Sequence, residues 1–101
     1  MNKNEGNKIK DLRNIAEEVK KKHPDTLVMF RSNNSYLLIG EDAKIASDIL
    51  RITLSHDSID KELTAAFPSY AIDMYLPRLF RAGKRVAFCN NVQERQTTLK
   101  R

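Results

Sequence analysis

Residues 23–43 read HPDTLVMFRSNNSYLLIGEDA, two short apolar runs around a polar turn. Leu27 to Phe30 and Tyr36 to Ile39 are rich in branched and aromatic residues, the composition of strands. Between them Arg31-Ser32-Asn33-Asn34-Ser35 supplies side chains suited to turns and to left-handed backbone. The spacing predicts strand, turn, strand. Gly40-Glu41-Asp42 stops the second run and puts carboxylates where a following helix would begin, which suits both capping and the helix dipole. Side-chain alternation puts Tyr36 and Leu38 on one face of the second strand and Leu37 and Ile39 on the other, so that strand is apolar on both faces.

Upstream of the hairpin, Ile9, Leu12, Ile15, Ala16 and Val19 recur every three or four positions, which predicts an amphipathic helix from about Asn7 to Lys22. Lys20-Lys21-Lys22 falls in its last turn, where cations complement the dipole, and Pro24 disfavours helical geometry at His23. The lysine triplet is therefore read as helix termination. Downstream, Ala43, Ala46, Ile49 and Leu50 predict a short helix over Glu41 to Leu50. Ile52-Thr53-Leu54 resumes a strand pattern, Ser55-His56-Asp57-Ser58 reads as a polar loop, and Leu63 to Phe67 is a further short strand ending at Pro68.

Ile72, Tyr75, Leu76, Leu79 and Phe80 mark a third helix from about Ser69 to Ala82, stopped by Gly83. Pro77 inside it predicts a kink, or a helix in two pieces, between Asp73 and Pro77. Arg85 to Cys89 reads as a last strand, with Val86 and Phe88 on one face and Ala87 and Cys89 on the other. Beyond Asn91 the periodicity lapses, and 94–101 is expected to be a disordered tail. The fold class is thus α/β, a small mixed sheet of about five to six strands flanked by three helices, in one domain over 1–93.

With 101 residues, 41% hydrophobic and 31% charged, the chain fits one soluble globular domain with a modest core. No apolar run approaches the length needed to cross a bilayer, and the start lacks a signal-peptide segment, so a cytoplasmic protein without membrane contact is expected. The single Cys89 has no partner for an internal disulfide or a cysteine zinc site. The net charge of +5 is unevenly placed: residues 74–101 carry seven Lys/Arg against one Asp/Glu, whereas residues 26–73 carry four against seven. Such a concentrated basic stretch suits a polyanion, and equally a solvated face.

Little here suggests catalysis. His23 and His56 are isolated, the aspartates show no paired spacing, and Cys89 lies in an apolar strand without an adjacent base. Gly6, Gly40 and Gly83 form no phosphate loop, so no nucleotide site is expected in this chain. Neither a metal nor another cofactor is expected. What remains is surface recognition: Arg78 and Arg81 share a helix face, and Lys84 and Arg85 extend the positive charge, an arrangement that could hold phosphates.

At this point a family is visible. HPDTLVMFRSNNSYLLIGEDAKIASDIL, then ITLS, then AAFPSYAIDMYLPRLFRAGKRVAFCNNV resembles the N-terminal mismatch-recognition domain of the MutS family of DNA mismatch-repair proteins. That family reads HPD, apolar residues, F/YR, GDFYELF, an acidic pair and a helix, and later a strand like RVAICEQ. The resemblance spans roughly residues 15–93. It implies a mixed sheet flanked by helices and a tolerable Pro77 in LPRLFRAG.

It also exposes departures. In GDFYELF the Phe wedges beside a mismatched base and the Glu two residues on hydrogen-bonds to it. Here Ser35 stands at the Phe position and Leu37 at the Glu position; serine offers no stacking surface and leucine accepts no hydrogen bond. After ITLS, where the family often continues Lys-Arg-Gly near DNA, this chain has His56-Asp57-Ser58, and an aspartate repels phosphates. The ATPase, clamp and dimerisation regions of full MutS proteins have no counterpart in these residues.

The expectation is therefore a stand-alone, non-enzymatic MutS N-terminal-like domain that binds double-stranded DNA weakly through the backbone, without mismatch specificity. Its candidate DNA-binding residues are Arg31, Asn33, Asn34, Ser35, Leu37, Arg78, Arg81, Lys84 and Arg85. The alternative is a protein-interaction module using the former DNA-facing hairpin surface, with Leu37 and Ile39 as an apolar patch, provided the chain's own termini leave it uncovered.

Overall fold

A computed structural model describes the backbone of residues 2–56 and 61–90 and the side chains of residues 9–56 and 61–89. Helix α1, Asn2–Lys22, starts earlier than periodicity predicts. Its buried stripe is the expected one, with Leu12 and Ala16 enclosed and Ile15 and Val19 packed alongside. The helix closes where His23 N donates to Val19 O, 2.8 Å away, and Pro24 follows.

Strands β1, Thr26–Ser32, and β2, Ser35–Ile39, form the antiparallel hairpin, with Phe30 opposite Leu37 and Ser32 opposite Ser35. The turn is Asn33-Asn34, and Asn33 takes the left-handed conformation at φ 51°, which asparagine tolerates better than most residues. Helix α2, Gly40–Leu50, follows at once and ends on a left-handed Arg51. After it come β3, Ser55–His56; β4, Leu63–Pro68; a 3-10 turn, Ser69–Ala71; helix α3, Ile72–Arg81; and β5, Arg85–Asn90.

The five strands line up in the order β3-β4-β2-β1-β5, and only β1 and β5 run parallel. This is a mixed sheet with three helices, as the pattern predicts. Alternation along the hairpin divides the core in two. Leu27, Met29 and Leu38 face α2 and α3, joining Ala43, Ala46, Leu50, Ala65, Phe67 and Leu79. Val28, Phe30 and Ile39 face the opposite way and meet Leu12 and Ala16 of α1. A fully buried Leu, Met or Phe of this kind contributes about 1.5–3 kcal/mol, so the hairpin, buried on both faces, anchors both layers.

Three local expectations are corrected. Ile52-Thr53-Leu54 is not a strand; Ile52 instead packs against the α2 side of the core, and the following strand is Ser55–His56, within the segment read as a polar loop. That strand pairs with β4 through backbone groups, so polar side chains do not oppose it. α3 runs unbroken through Pro77, and the division into two pieces falls earlier, between the 3-10 turn and Ile72. A proline ring crowds the carbonyl four residues back, here Asp73 in the first turn of α3, where the helix is least constrained. Finally, α2 has no side-chain N-cap. Asp42 turns inward instead: its carboxylate accepts from Val28 N at 3.0 Å and from Lys20 Nζ at 2.5 Å. The expected tail over 94–101 lies outside the described residues.

Candidate nucleic-acid interface

The hairpin tip is built by local chemistry. Asn33 and Asn34 are exposed at the turn, and Arg31 reaches back over it. Arg31 Nε donates to Asn33 O at 3.1 Å, its NH1 donates to Tyr36 Oη at 3.3 Å, and its guanidinium lies 5.3 Å from the centre of the Tyr36 ring. Arg31 thus holds the turn and the strand behind it. From the other side Ser69 N donates to Asn34 O at 2.7 Å, tying the tip to the start of the 3-10 turn.

Ser35 and Leu37 share a face of β2 with Ile39, and that face meets α1 through Ile39 and Leu37. Ile39 is 5% exposed, and Leu37 is half-buried against the cluster of Leu12, Ala16, Val28 and Phe30. The apolar patch anticipated for a protein partner is therefore largely occupied by the chain's own N-terminal helix. Ser35, half-buried, pairs with Ser32 and with Pro68 at the end of the strand.

The basic candidates do not join the tip. Parallel register sets Arg85 beside Thr26, the first residue of β1, while the turn follows Ser32, the last. Six residue steps along a strand separate the two ends, roughly 20 Å. Lys84 and Arg85 line an open cleft with Lys20, Pro24, Asp25 and Ile45. Arg81, exposed, ends α3 just before them, and Arg78, also exposed, lies one turn back with its guanidinium 5.9 Å from the Tyr75 ring centre. The candidates fall into two groups, a tip of Arg31, Asn33, Asn34, Ser35 and Leu37, and a basic group of Arg81, Lys84 and Arg85, with Arg78 between them along α3.

One set of side chains escaped the sequence reading. Tyr36 stands 5.5 Å from Phe88 and 5.6 Å from Phe67 between ring centres, and Phe67 meets Tyr75 edge-on at 4.9 Å. Four rings from β5, β2, β4 and α3 form a row, with Arg31 over one and Arg78 over another. Alternation assigns Phe88 to the face of Val86, but only the position of β5 at the sheet edge leaves that ring half exposed.

Cys89 packs against the α1 side, half-buried, and burial pushes its thiol above the ordinary 9.0, leaving it a neutral, weakly nucleophilic group. Among the described residues no three His, Cys, Asp or Glu side chains converge as a metal site would require, and no helix is long and apolar enough to cross a membrane. The fold and its surface define a small α/β module with helices on both faces of a mixed sheet, presenting exposed hydrogen-bonding, cationic and aromatic groups among the described residues.

Comparison with known proteins specifies the class further. The family model of MutS domain I matches residues 13–101, and the chain belongs to that family. The DNA mismatch repair protein MutS of Bacteroides fragilis is 45% identical over 86 residues, covering 82% of this chain and 10% of that protein. The MutS protein of Phocaeicola vulgatus is 44% identical over 86 residues. That of Christiangramia forsetii is 37% identical over 93 residues, 90% of this chain. The chain spans about a tenth of the length of these relatives. It is a mismatch-repair related domain.

Proposed function

We propose that this domain is a non-enzymatic DNA-binding module, cytoplasmic, that holds duplex DNA through its phosphates and does not distinguish a mismatched from a paired duplex. The observation that carries this reading is the state of β2: Leu37, at the position where the family resemblance implies a base-reading carboxylate, packs beneath α1 and has no hydrogen bond to offer. Membership of MutS domain I supports DNA as the ligand. Residues 74–90 carry Arg78, Arg81, Lys84 and Arg85 and no acidic residue, which supports phosphate contacts. Such contacts set affinity and register but carry no base information.

The test is fluorescence anisotropy with a paired duplex and the same duplex carrying one mismatch, each over a salt series. Four phosphate contacts give a slope of log K against log salt near −3.6, or roughly 100-fold weaker binding between 50 and 200 mM salt. The two duplexes are expected to differ by less than about twofold, since a base contact that discriminates contributes about 1–3 kcal/mol and neither the Ser35 nor the Leu37 side chain can supply the ring or the carboxylate that the family resemblance implies. Reversing Arg81 and Arg85 to glutamate should flatten the slope. Salt-independent binding, or a tenfold preference for the mismatch, overturns the proposal.

A further inference from the structure

We infer that the ring row ending in Phe88 is a stacking platform for unpaired bases, so that the domain binds single-stranded DNA in preference to intact duplex. This rests on the reading that the domain binds DNA, and adds the part of the ligand recognised. Phe88 is 50% exposed on the edge strand β5; Tyr70, Met74 and Phe80 are more exposed, but among the described ring contacts Phe88 is the exposed end of a row that runs into the core. Its inner side is fixed by Tyr36, which is itself held by Phe67 and by the Arg31 hydrogen bond, so the exposed ring is backed by side chains that are already ordered. Phe67, 3% exposed, anchors the row in the core.

The charges select the occupant. Arg31 and Arg78 lie over the rings of Tyr36 and Tyr75, and the strand and helix carrying Phe88, Tyr75 and Arg78 contribute a single carboxylate, Asp73 in the first turn of α3, against Arg78, Arg81 and Arg85. An apolar peptide would leave those guanidiniums without counter-charges. A nucleotide supplies both complements at once, a π face for the ring and a phosphate for the cation. In an intact duplex the base faces are already stacked on one another, so a ring set on a sheet surface gains access to them only where bases are unpaired.

Three variants of the full chain test the inference by anisotropy, with an oligothymidylate of about 16 nucleotides and a blunt paired duplex of the same length. Phe88→Leu keeps apolar volume without a π face, Phe88→Tyr keeps the ring, and Phe88→Ala removes both; urea unfolding checks that each is folded. Wild type should bind the single strand more tightly than the duplex at equal salt. Phe88→Leu should weaken single-strand binding at least fivefold, the lower bound for loss of one base stack, while changing duplex binding less than about twofold. Phe88→Tyr should remain within about twofold of wild type on both ligands. Equal effects of Phe88→Leu on the two ligands, no effect on the single strand, or a wild-type preference for duplex overturns the inference. If salt-sensitive duplex binding persists in those cases, the proposed function stands without it; if neither DNA is bound, both fall.

Discussion

Replacing Asp42 tests how the two layers are joined. The carboxylate is 3% exposed and lies at the meeting point of α1, β1 and α2: Oδ2 accepts from Val28 N and Oδ1 from Lys20 Nζ, while Lys20 Nζ also donates to Thr26 O at 2.8 Å. Asp42→Ala strands the Val28 N–H, and Val28 is 1% exposed, so water does not replace the lost acceptor. An unsatisfied buried donor costs about 1–3 kcal/mol. Lys20 loses its anion but keeps Thr26 O and is one-third exposed, so its share is the modest about 0.5–1 kcal/mol of a solvent-screened pair. The expected cost is about 2–4 kcal/mol. Asp42→Asn keeps an acceptor for Val28 but turns either an amide or an uncharged oxygen toward the ammonium, and should cost about 1–2 kcal/mol.

With no tryptophan in the chain, urea unfolding followed by far-ultraviolet circular dichroism is the suitable assay. At a slope of about 1–2 kcal/mol/M for a small domain, Asp42→Ala should lower the midpoint by roughly 1–4 M, close to the limit at which such a domain remains folded. A cycle with Lys20→Met should show coupling above about 0.5 kcal/mol. A cost for Asp42→Ala below about 1 kcal/mol, or strict additivity with Lys20→Met, would refute the view that this carboxylate fastens α1 to the sheet.

Leu37→Glu sets a carboxylate against the cluster that holds Leu12 and Ala16; urea titration should find it about 1–3 kcal/mol less stable. Ser35→Phe, at the half-exposed end of β2, should change stability by less than about 1 kcal/mol by the same measurement, the range of a surface cross-strand substitution. Gly40→Ala should cost about 1–2 kcal/mol, because Gly40 sits at φ +66° and the new Cβ would come within 2.9 Å of Glu62 Oε2, the carboxylate that also accepts from Arg13. Cys89 should react with iodoacetamide more slowly in the folded protein than in urea at pH 8, since burial favours its thiol over its thiolate. The accompanying stability, measured against Cys89→Ala, is fully present below the unfolded thiol's value and lost as pH rises through the higher folded value.

The hairpin was legible because its two signals are local. Alternation and a turn-forming Asn33-Asn34 require no knowledge of what lies alongside, and the strands extend the expected 27–30 and 36–39 by only a few residues. The stripe on α1 was legible for the same reason. What pattern could not supply was neighbourhood. The inward turn of Asp42 depends on Val28, fourteen residues away, offering an unpartnered N–H at that spot, and a carboxylate at a helix start reads equally well as a dipole partner. Ser55–His56 forms a strand because the edge of β4 lies beside it, and its side chains give no sign of this. The separation of Arg85 from the tip follows from the parallel register with Thr26, a pairing across almost sixty residues.

These same pairings make the shape of the tip independent of the side chains at positions 35 and 37. Arg31 holds the turn through Asn33 O and the Tyr36 hydroxyl, Ser69 holds Asn34 from behind, and none of those bonds involves the side chain of Ser35 or Leu37. At position 35 side chain and scaffold are therefore separable, since Ser35 sits at the strand's end, where a ring is expected to have little effect on packing. At position 37 they are not, since Leu37 is half-buried against the cluster that joins α1 to the sheet. Ser35→Phe places an aromatic ring on this hairpin without disturbing the core, whereas Leu37→Glu has to open the packing against the α1 side. The asymmetry makes Leu37→Glu more costly than Ser35→Phe, about 1–3 kcal/mol against less than about 1 kcal/mol.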